Sequence, residues 1–458
     1  MKKLYLVGCL ALLAAPSVLA AGPKLTISGS ATGFMSFTTP KNGYYKGDGT
    51  NAGGVPGEYP SVQKSSLDTS SPRVVGGEVD LVFAAKGKFS KGVLKEVDYG
   101  AIIEFDAMKG DTGVDKMYVY VGNNRYGVLQ MGNVKGPEAT YQCNGQSLCG
   151  GTLGVDGTVP SDVDYSTGVI TPLYVIGYTN KATKVVYYSP RVYGVQLGFA
   201  FTPDTKHIGH APKNRTTGSS KFGNDIGLYY PTDEKAERPS GRASISVGLN
   251  HQHEWTPKVK TEFSAVYLHE NTRDIKVAGV DNPIKLHKVS AYTLSAKVFY
   301  GNFGVGVGYI NNGKSRMPKD YSVFNPAAGP VTHHGGFLSD EGGNAGRVWN
   351  LGVQYIYDDW KFAAVYHRSS RKVTHSESTR GNMLTLTADY KVCDGFGVFF
   401  EFDHIQTKSC ERACVLRNLM VNNGLDAVAA AAAGTPGKAQ AIKKQTCQLY
   451  AVGMKVSF

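Results

Sequence analysis

The last nine residues read Tyr450-Ala451-Val452-Gly453-Met454-Lys455-Val456-Ser457-Phe458. The even positions are Tyr, Val, Met, Val and Phe. The odd ones are Ala, Gly, Lys and Ser. An apolar residue at every second place is the signature of a strand with one apolar face and one small or polar face. The region after residue 23 repeats the pattern. Leu25, Ile27, Gly29, Ala31, Gly33, Met35 and Phe37 alternate with Lys24, Thr26, Ser28, Ser30, Thr32, Phe34 and Ser36.

The same period marks sixteen segments, near 24–37, 73–88, 96–108, 114–122, 126–133, 182–190, 193–202, 242–254, 258–270, 287–300, 303–311, 346–358, 360–371, 381–392, 395–407 and 446–458. Many are about 9 to 13 residues long, which is what a tilted strand needs to cross a bilayer. Short links such as Asn123-Asn124-Arg125, Gly301-Asn302, Asp358-Asp359 and Cys393-Asp394-Gly395 alternate with mostly longer connections near 38–72, 109–113, 134–181, 203–241, 271–286, 312–345, 372–380 and 408–445. Loop lengths segregated to two sides, with an even strand number, predict an all-β fold: a transmembrane antiparallel β-barrel of 16 strands. In lipid every backbone N–H and C=O needs a partner within the protein, so the sheet must close. Sixteen strands enclose a space too wide for side chains to fill, and water enters.

The rest of the chain agrees. It has 458 residues, with 56 Gly, 27 Tyr and 19 Phe against 3 Trp. No later stretch offers the roughly 18 to 20 consecutive apolar residues of a membrane helix. The N-terminus, with Lys2 and Lys3, the apolar run Leu4 to Ala15 and then Pro16-Ser17-Val18-Leu19-Ala20-Ala21, reads as a secretory signal peptide over residues 1–20, with cleavage after Ala21 equally compatible. Its removal lowers the formal charge from +12 to +10. Residues 21–458 are expected to form a single barrel domain.

Strand phase nominates charges for the lumen face: Asp98, Glu104, Asp106, Lys260, Glu262, Lys297, Lys361, Asp389, Lys391, Glu401, Asp403 and Lys455. Their signs are mixed, so the net charge does not fix an ion preference. Part of that charge lies near the last long connection, at Lys408, Arg412, Arg417, Lys438, Lys443 and Lys444. Of seven cysteines, Cys9 leaves with the signal. An oxidising compartment permits disulfides. A Cys143–Cys149 bridge within connection 134–181 is expected. So is one bridge among Cys410, Cys414 and Cys447, its pairing open.

Several enzymatic readings fail. Gly308-Tyr309-Ile310-Asn311-Asn312-Gly313-Lys314-Ser315 fits the phosphate-loop pattern G-x-x-x-x-G-K-[ST]. That loop must lead into a helix. Here Arg316, Met317 and Pro318 follow, so no nucleotide is expected, and no nucleic acid. Cys410-x3-Cys414 lacks a histidine at zinc-finger spacing, and no motif pairs a nucleophile with a base. No metal, cofactor or catalytic residue is assigned.

Three stretches carry a family resemblance. One is the terminal strand, with Tyr450 eight residues before Phe458. The second is Lys116-Met117-Tyr118-Val119-Tyr120-Val121-Gly122 with Tyr126-Gly127-Val128-Leu129-Gln130-Met131-Gly132-Asn133. The third runs from Lys184 through Tyr187-Tyr188-Ser189-Pro190-Arg191 to Gly198. In this order they resemble the general porins of Gram-negative outer membranes. The resemblance implies a homotrimer of water-filled channels for passive diffusion of small hydrophilic solutes, contacts with outer-membrane lipid and lipopolysaccharide, and a C-terminal signal (Tyr450, Phe458) read by the barrel-assembly machinery. It also implies a constriction loop, about 134–181, folded into the lumen, on which acidic residues face basic residues across the pore; the loop is matched by position, and the acids it holds, Glu138, Asp156, Asp162 and Asp164, are the candidates. A substrate-selective channel and a surface adhesin or antigen using the long loops are the alternatives. For the eleventh segment, bare Gly304, Gly306 and Gly308 predict a landing strip for that loop, or simply a wider pore.

Overall fold

The computed structural model describes residues 21–41, 73–92, 94–106, 113–150, 176, 178–179, 181–205, 241–274, 285–317, 319, 323–325, 329–331, 343–372, 378–408 and 444–458. The expected signal peptide, Asp156, Asp162, Asp164, Cys410 and Cys414 lie outside them.

The strands, in chain order, are β1 (Ala21–Lys41), β2 (Arg73–Lys88), β3 (Asp98–Asp106), β4 (Gly113–Asn123), β5 (Gly127–Asn133), β6 (Thr183–Tyr188), β7 (Val195–Asp204), β8 (Gly241–Thr256) and β9 (Val259–Thr272). They continue with β10 (Val289–Tyr300), β11 (Phe303–Asn311), β12 (Val323–Asn325), β13 (Gly329–Val331), β14 (Arg347–Tyr357), β15 (Trp360–Lys372), β16 (Ser378–Cys393), β17 (Phe396–Lys408) and β18 (Lys444–Ser457). Sixteen of them close into one antiparallel barrel, each pairing with its sequence neighbours. β12 and β13 form a separate two-stranded ladder inside the connection 312–345, an element too short for the periodicity to reveal.

Side-chain alternation separates two environments. On β14, Trp349, Leu351 and Val353 are exposed, while Val348 and Asn350 between them are buried. The exposed row faces lipid and the buried row faces the lumen, where an inward-folded loop covers it. β11 shows the same split, with Phe303, Val305 and Val307 exposed. An apolar outer face is what a strand needs in hydrocarbon, since the backbone is already satisfied by its ladder.

Closure rests on β1 and β18, which pair from Ser30↔Ser457 to Lys41↔Thr446. The seam continues through Phe458, whose N–H donates to the Gly29 carbonyl at 3.1 Å while Gly29 N–H donates to the Phe458 carbonyl at 2.9 Å. A Cβ at residue 29 would stand 2.5 Å from the Asp80 carbonyl oxygen and 2.8 Å from Phe458 Cζ. Gly29→Val is therefore expected to destabilise the closed barrel by about 1–3 kcal/mol through overpacking. The check is the urea midpoint of the refolded protein in detergent; an unshifted midpoint would show that the seam tolerates the branch.

Candidate functional site

The connection between β5 and β6 turns into the barrel. Helix α1 (Pro137–Thr140) opens it, with Pro137 in the first turn, where the missing N–H costs nothing. Asn144 then caps a 3-10 turn over Gly145–Leu148, its side chain accepting from Ser147 N–H at 3.2 Å. From there the loop is fastened to one wall strand after another. Tyr141 lies against Gly198 and Gly248 of β7 and β8, and its carbonyl accepts from Ser264 Oγ of β9 at 2.7 Å. The Cys143 N–H donates to Ser295 Oγ of β10 at 3.3 Å. The Gly145 N–H donates to Asn350 Oδ1 of β14 at 2.8 Å. Gln146 Oε1 and His367 Nε2 of β15 are 2.7 Å apart. Gly150 reaches Thr387 of β16, and the Lys455 ammonium of β18 donates to the Gly150 carbonyl.

The glycines of β11 make part of this approach possible. A Cβ on Gly306 would meet the Asn144 carbonyl oxygen at 3.0 Å, and one on Gly308 would meet Asn144 Cβ at 2.5 Å. Gly352 of β14 extends the strip, since a Cβ there would lie 2.5 Å from the Gly145 carbonyl oxygen. Gly304 takes no part; its bare face is filled by Gln354 and Phe299 of the wall. So two of the three bare positions receive the loop. The returning end is seated by Ile176 in a cluster with Leu268, Val289, Ala291, Ile310 and Val348, and by Arg316. The Arg316 guanidinium lies 5.2 Å from the Tyr178 ring centroid and pairs with Glu270 at 2.6 Å.

Glu138 is on this loop but does not face the pore. It is fully buried and its Oε1 accepts from Lys184 Nζ of β6 at 2.9 Å. Thr179, near the loop's far end, donates to the same oxygen, and Lys184 also donates to Thr179 Oγ1 at 3.1 Å. Three groups thus tie the outgoing limb, the returning limb and the wall together. Burial pushes the Glu138 carboxyl up, but the Lys184 charge and the two hydrogen bonds outweigh it and hold the group below its ordinary value. The carboxylate role expected across the pore is instead a structural one.

The wall charges stand on the lumen side of their strands, as phase requires, but their surroundings differ. Glu104 pairs with Lys116 at 2.7 Å, Glu262 with Lys297 at 2.8 Å, and Asp98 with Lys86 at 3.6 Å. Lys260 pairs with Glu254 at 2.9 Å and Lys391 with Asp394 at 2.5 Å, both beside the short turns and away from the loop. Asp389 lies against Gly150 of the inward loop, and its register partner across the ladder is Lys361. Glu401 and Asp403 are fully buried, and Asp403 accepts from Thr385 Oγ1 at 2.6 Å. These two acids lie on the lumen side of β17 but are covered groups rather than charges open to water. Asp106 stands opposite Asp80 in the β2–β3 ladder. Lys86, Lys116 and Lys184 are missing from the set nominated by sequence, although β2, β4 and β6 place all three in the inward phase.

Among the described residues, Cys143, Cys149 and Cys393 are free thiols. This corrects the expected Cys143–Cys149 bridge. The 3-10 turn between them sends each to a different part of the wall. Cys143 Sγ sits 3.3 Å from Ser295 Oγ, whereas Cys149 packs on Ala363 and Val365 of β15. Cys447 lies on β18 opposite Pro40 and Ile405. The motif-like Lys314-Ser315 forms a turn: Ser315 N–H donates to the Asn312 carbonyl at 3.0 Å and Ser315 Oγ accepts from Ser290 N–H at 2.9 Å. The hydroxyl a phosphate loop would turn to a metal is engaged by a strand.

Lys184→Met leaves a buried carboxylate without its counter-ion and is expected to cost about 3–5 kcal/mol, with Glu138→Gln recovering part of it in the double variant. Calorimetric midpoints of the four proteins test the coupling. Since the folded carboxyl is held below the ordinary 4.5, its contribution is complete above that pH and lost as pH falls through the lower folded value. Loop seating, read as the acid sensitivity of the wild-type midpoint, should weaken only below about pH 4.5 and less so in the double variant. A second measurement concerns the thiols. Burial, with Glu401 and Asp403 nearby, pushes the Cys149 thiol up to about 12. With maleimide at about pH 7.5, exposed Cys393 should label at least about tenfold faster than Cys143 or Cys149 by peptide mass mapping. Equal rates would contradict the seated loop.

The sequence model of the Gram-negative porin family matches residues 8–409. An uncharacterized protein of Rickettsia felis is 24% identical over 453 residues, spanning 89% of this chain and 94% of that one. One of Rickettsia typhi is 26% identical over 321 residues, spanning 62% and 68%. Among solved structures, in-vitro-folded OmpT, an outer membrane protein of Vibrio cholerae in its trimer form, superposes with a TM-score of 0.51 at 10% identity, covering 96% of this chain and 100% of that one. That last likeness speaks to the fold. With a closed 16-stranded barrel, an apolar outer face and a loop folded into the lumen, the match across most of the sequence places the chain in the Gram-negative porin family, as a channel of the outer membrane.

Proposed function

We propose that the channel passes small hydrophilic solutes and ions by passive diffusion, without turnover or cofactor. The observation that carries this reading is the path of the inward loop. It is fastened to the inner faces from β7 round to β16. The lumen faces of β2 to β4 keep their own charged side chains, Lys86, Asp98, Glu104 and Lys116. A passage between a fixed loop and a charged wall filters by size and charge, because ions in a narrow low-dielectric space feel nearby charges strongly. Asp156, Asp162 and Asp164 supply the loop's share of that field.

In the same reading residues 1–20, or 1–21, are removed on export. The mature chain assembles as a homotrimer, the state in which the OmpT barrel of Vibrio cholerae is also found. Tyr450 and Phe458 serve as the barrel-assembly signal, and the barrel contacts lipid and lipopolysaccharide.

Planar-bilayer recordings decide between general and selective passage. Conductance should rise in proportion to salt, with no solute blocking at low concentration. Saturable block by one solute class would favour the substrate-selective alternative instead. Reversal potential in a salt gradient then gives the sign of the dominant wall charge.

A further inference from the structure

The outer face of the barrel carries charge where conduction has no use for it. At the long-loop end of β14, Arg347 shares the face of exposed Trp349 and Leu351. Across the ladders, Arg347 pairs with Ser370, Ser370 with Arg380, Arg380 with Lys408 and Lys408 with Lys444. One row across five adjacent strands therefore holds four cationic residues. Arg347, Arg380 and Lys408 are exposed, and so are Arg368 two rows nearer the midplane and Lys372 two rows further out. No residue on the cationic row, or on the two rows beneath it, is acidic.

Like charges directly opposite on a sheet repel, so Arg380 facing Lys408 opposes the ladder that joins them. An anion lying along the row removes that opposition. Its source follows from depth. Trp349 and Tyr366, with ring centroids 5.4 Å apart, lie just below the row, and such aromatics mark the level where hydrocarbon gives way to headgroups. Cations at that level on a lipid-facing surface meet lipid headgroups rather than solutes in the lumen. Guanidinium forks suit phosphate oxygens, which they can bind in pairs.

We propose that this row binds the phosphate groups of an outer-leaflet lipid, whose acyl chains lie down the exposed apolar face of β14 to β18. The proposal rests on the outer-membrane channel reading above and assigns its lipid contact to named residues. The test is native mass spectrometry of the detergent-purified protein titrated with bisphosphorylated lipid A and with the same lipid stripped of phosphate. The wild type should hold the phosphorylated form at least about tenfold more tightly. The triple variant Arg347→Gln, Arg380→Gln, Lys408→Gln should lose that preference. A charge-keeping variant, Arg347→Lys, Arg380→Lys, Lys408→Arg, should retain most of it. Equal binding of the two lipids by the wild type overturns the proposal whether or not the variants assemble, and so does an undiminished preference in the glutamine variant. Single-channel conductance of the same samples reports on the channel reading separately, because all three residues face away from the lumen.

Discussion

Backbone hydrogen bonding in a medium that offers no partners is the constraint on which the rest of this molecule depends. It forces the sheet to close, and closure brings the two ends of the described chain together, with Gly29 and Phe458 exchanging backbone hydrogen bonds at the seam. It also fixes the period of two, because a strand paired on both sides has only its two faces left to vary. The outer face is apolar because of the lipid. The inner face is released from that demand and carries the serines, asparagines, glycines and charges to which the inward loop is fitted.

The loop's seating is mostly polar. Its outgoing limb is fixed through Ser264, Ser295, Asn350, His367 and Thr387, one residue on each of five strands. Hydrogen bonds of this kind add about 0.5–1.5 kcal/mol each, but they also fix register, since a shift by one residue leaves buried donors unpaired. The buried Glu138–Lys184 pair acts similarly. A buried ion pair is weak as a source of stability against an apolar equivalent. What it supplies here is a single position at which the two limbs and β6 must meet.

Strand order, strand number and facing were legible in the sequence because each depends on local alternation. The eleventh segment is found with the same bounds, Phe303–Asn311, and Glu401 and Asp403 share the inward face of β17 with Phe399 and Ile405. Exposure was not legible. Glu401 and Asp403 alternate as lumen residues should, yet both are fully buried. Cys143 and Cys149 are close enough in sequence to bridge, yet an Asn-capped 3-10 turn carries them to β10 and β15. Both outcomes follow from where the loop runs, and that path is set by contacts between residues such as Gly145 and Asn350, which are 205 positions apart. No local pattern encodes such a distance. Gly306 and Gly308 were the informative exception, since bare positions in a wall advertise a visitor.

The two faces of a strand also give this fold a separation that globular enzymes lack. β16 presents Thr387 and Asp389 to the inward loop, while Arg380 belongs to the outer cationic row. β14 does the same with Asn350 inside and Arg347 outside. Since neighbouring positions point to opposite sides of a closed sheet, the pore lining can change without disturbing the lipid-facing surface, and the reverse. The exception is the backbone, which both faces share. Gly352 lets the Gly145 carbonyl come close from inside, and Leu351 and Val353 on either side of it carry the outer surface. A side chain at 352 would press the strand outward and move both of those lipid-facing residues with it. At such points the filter and the membrane surface are adjusted together.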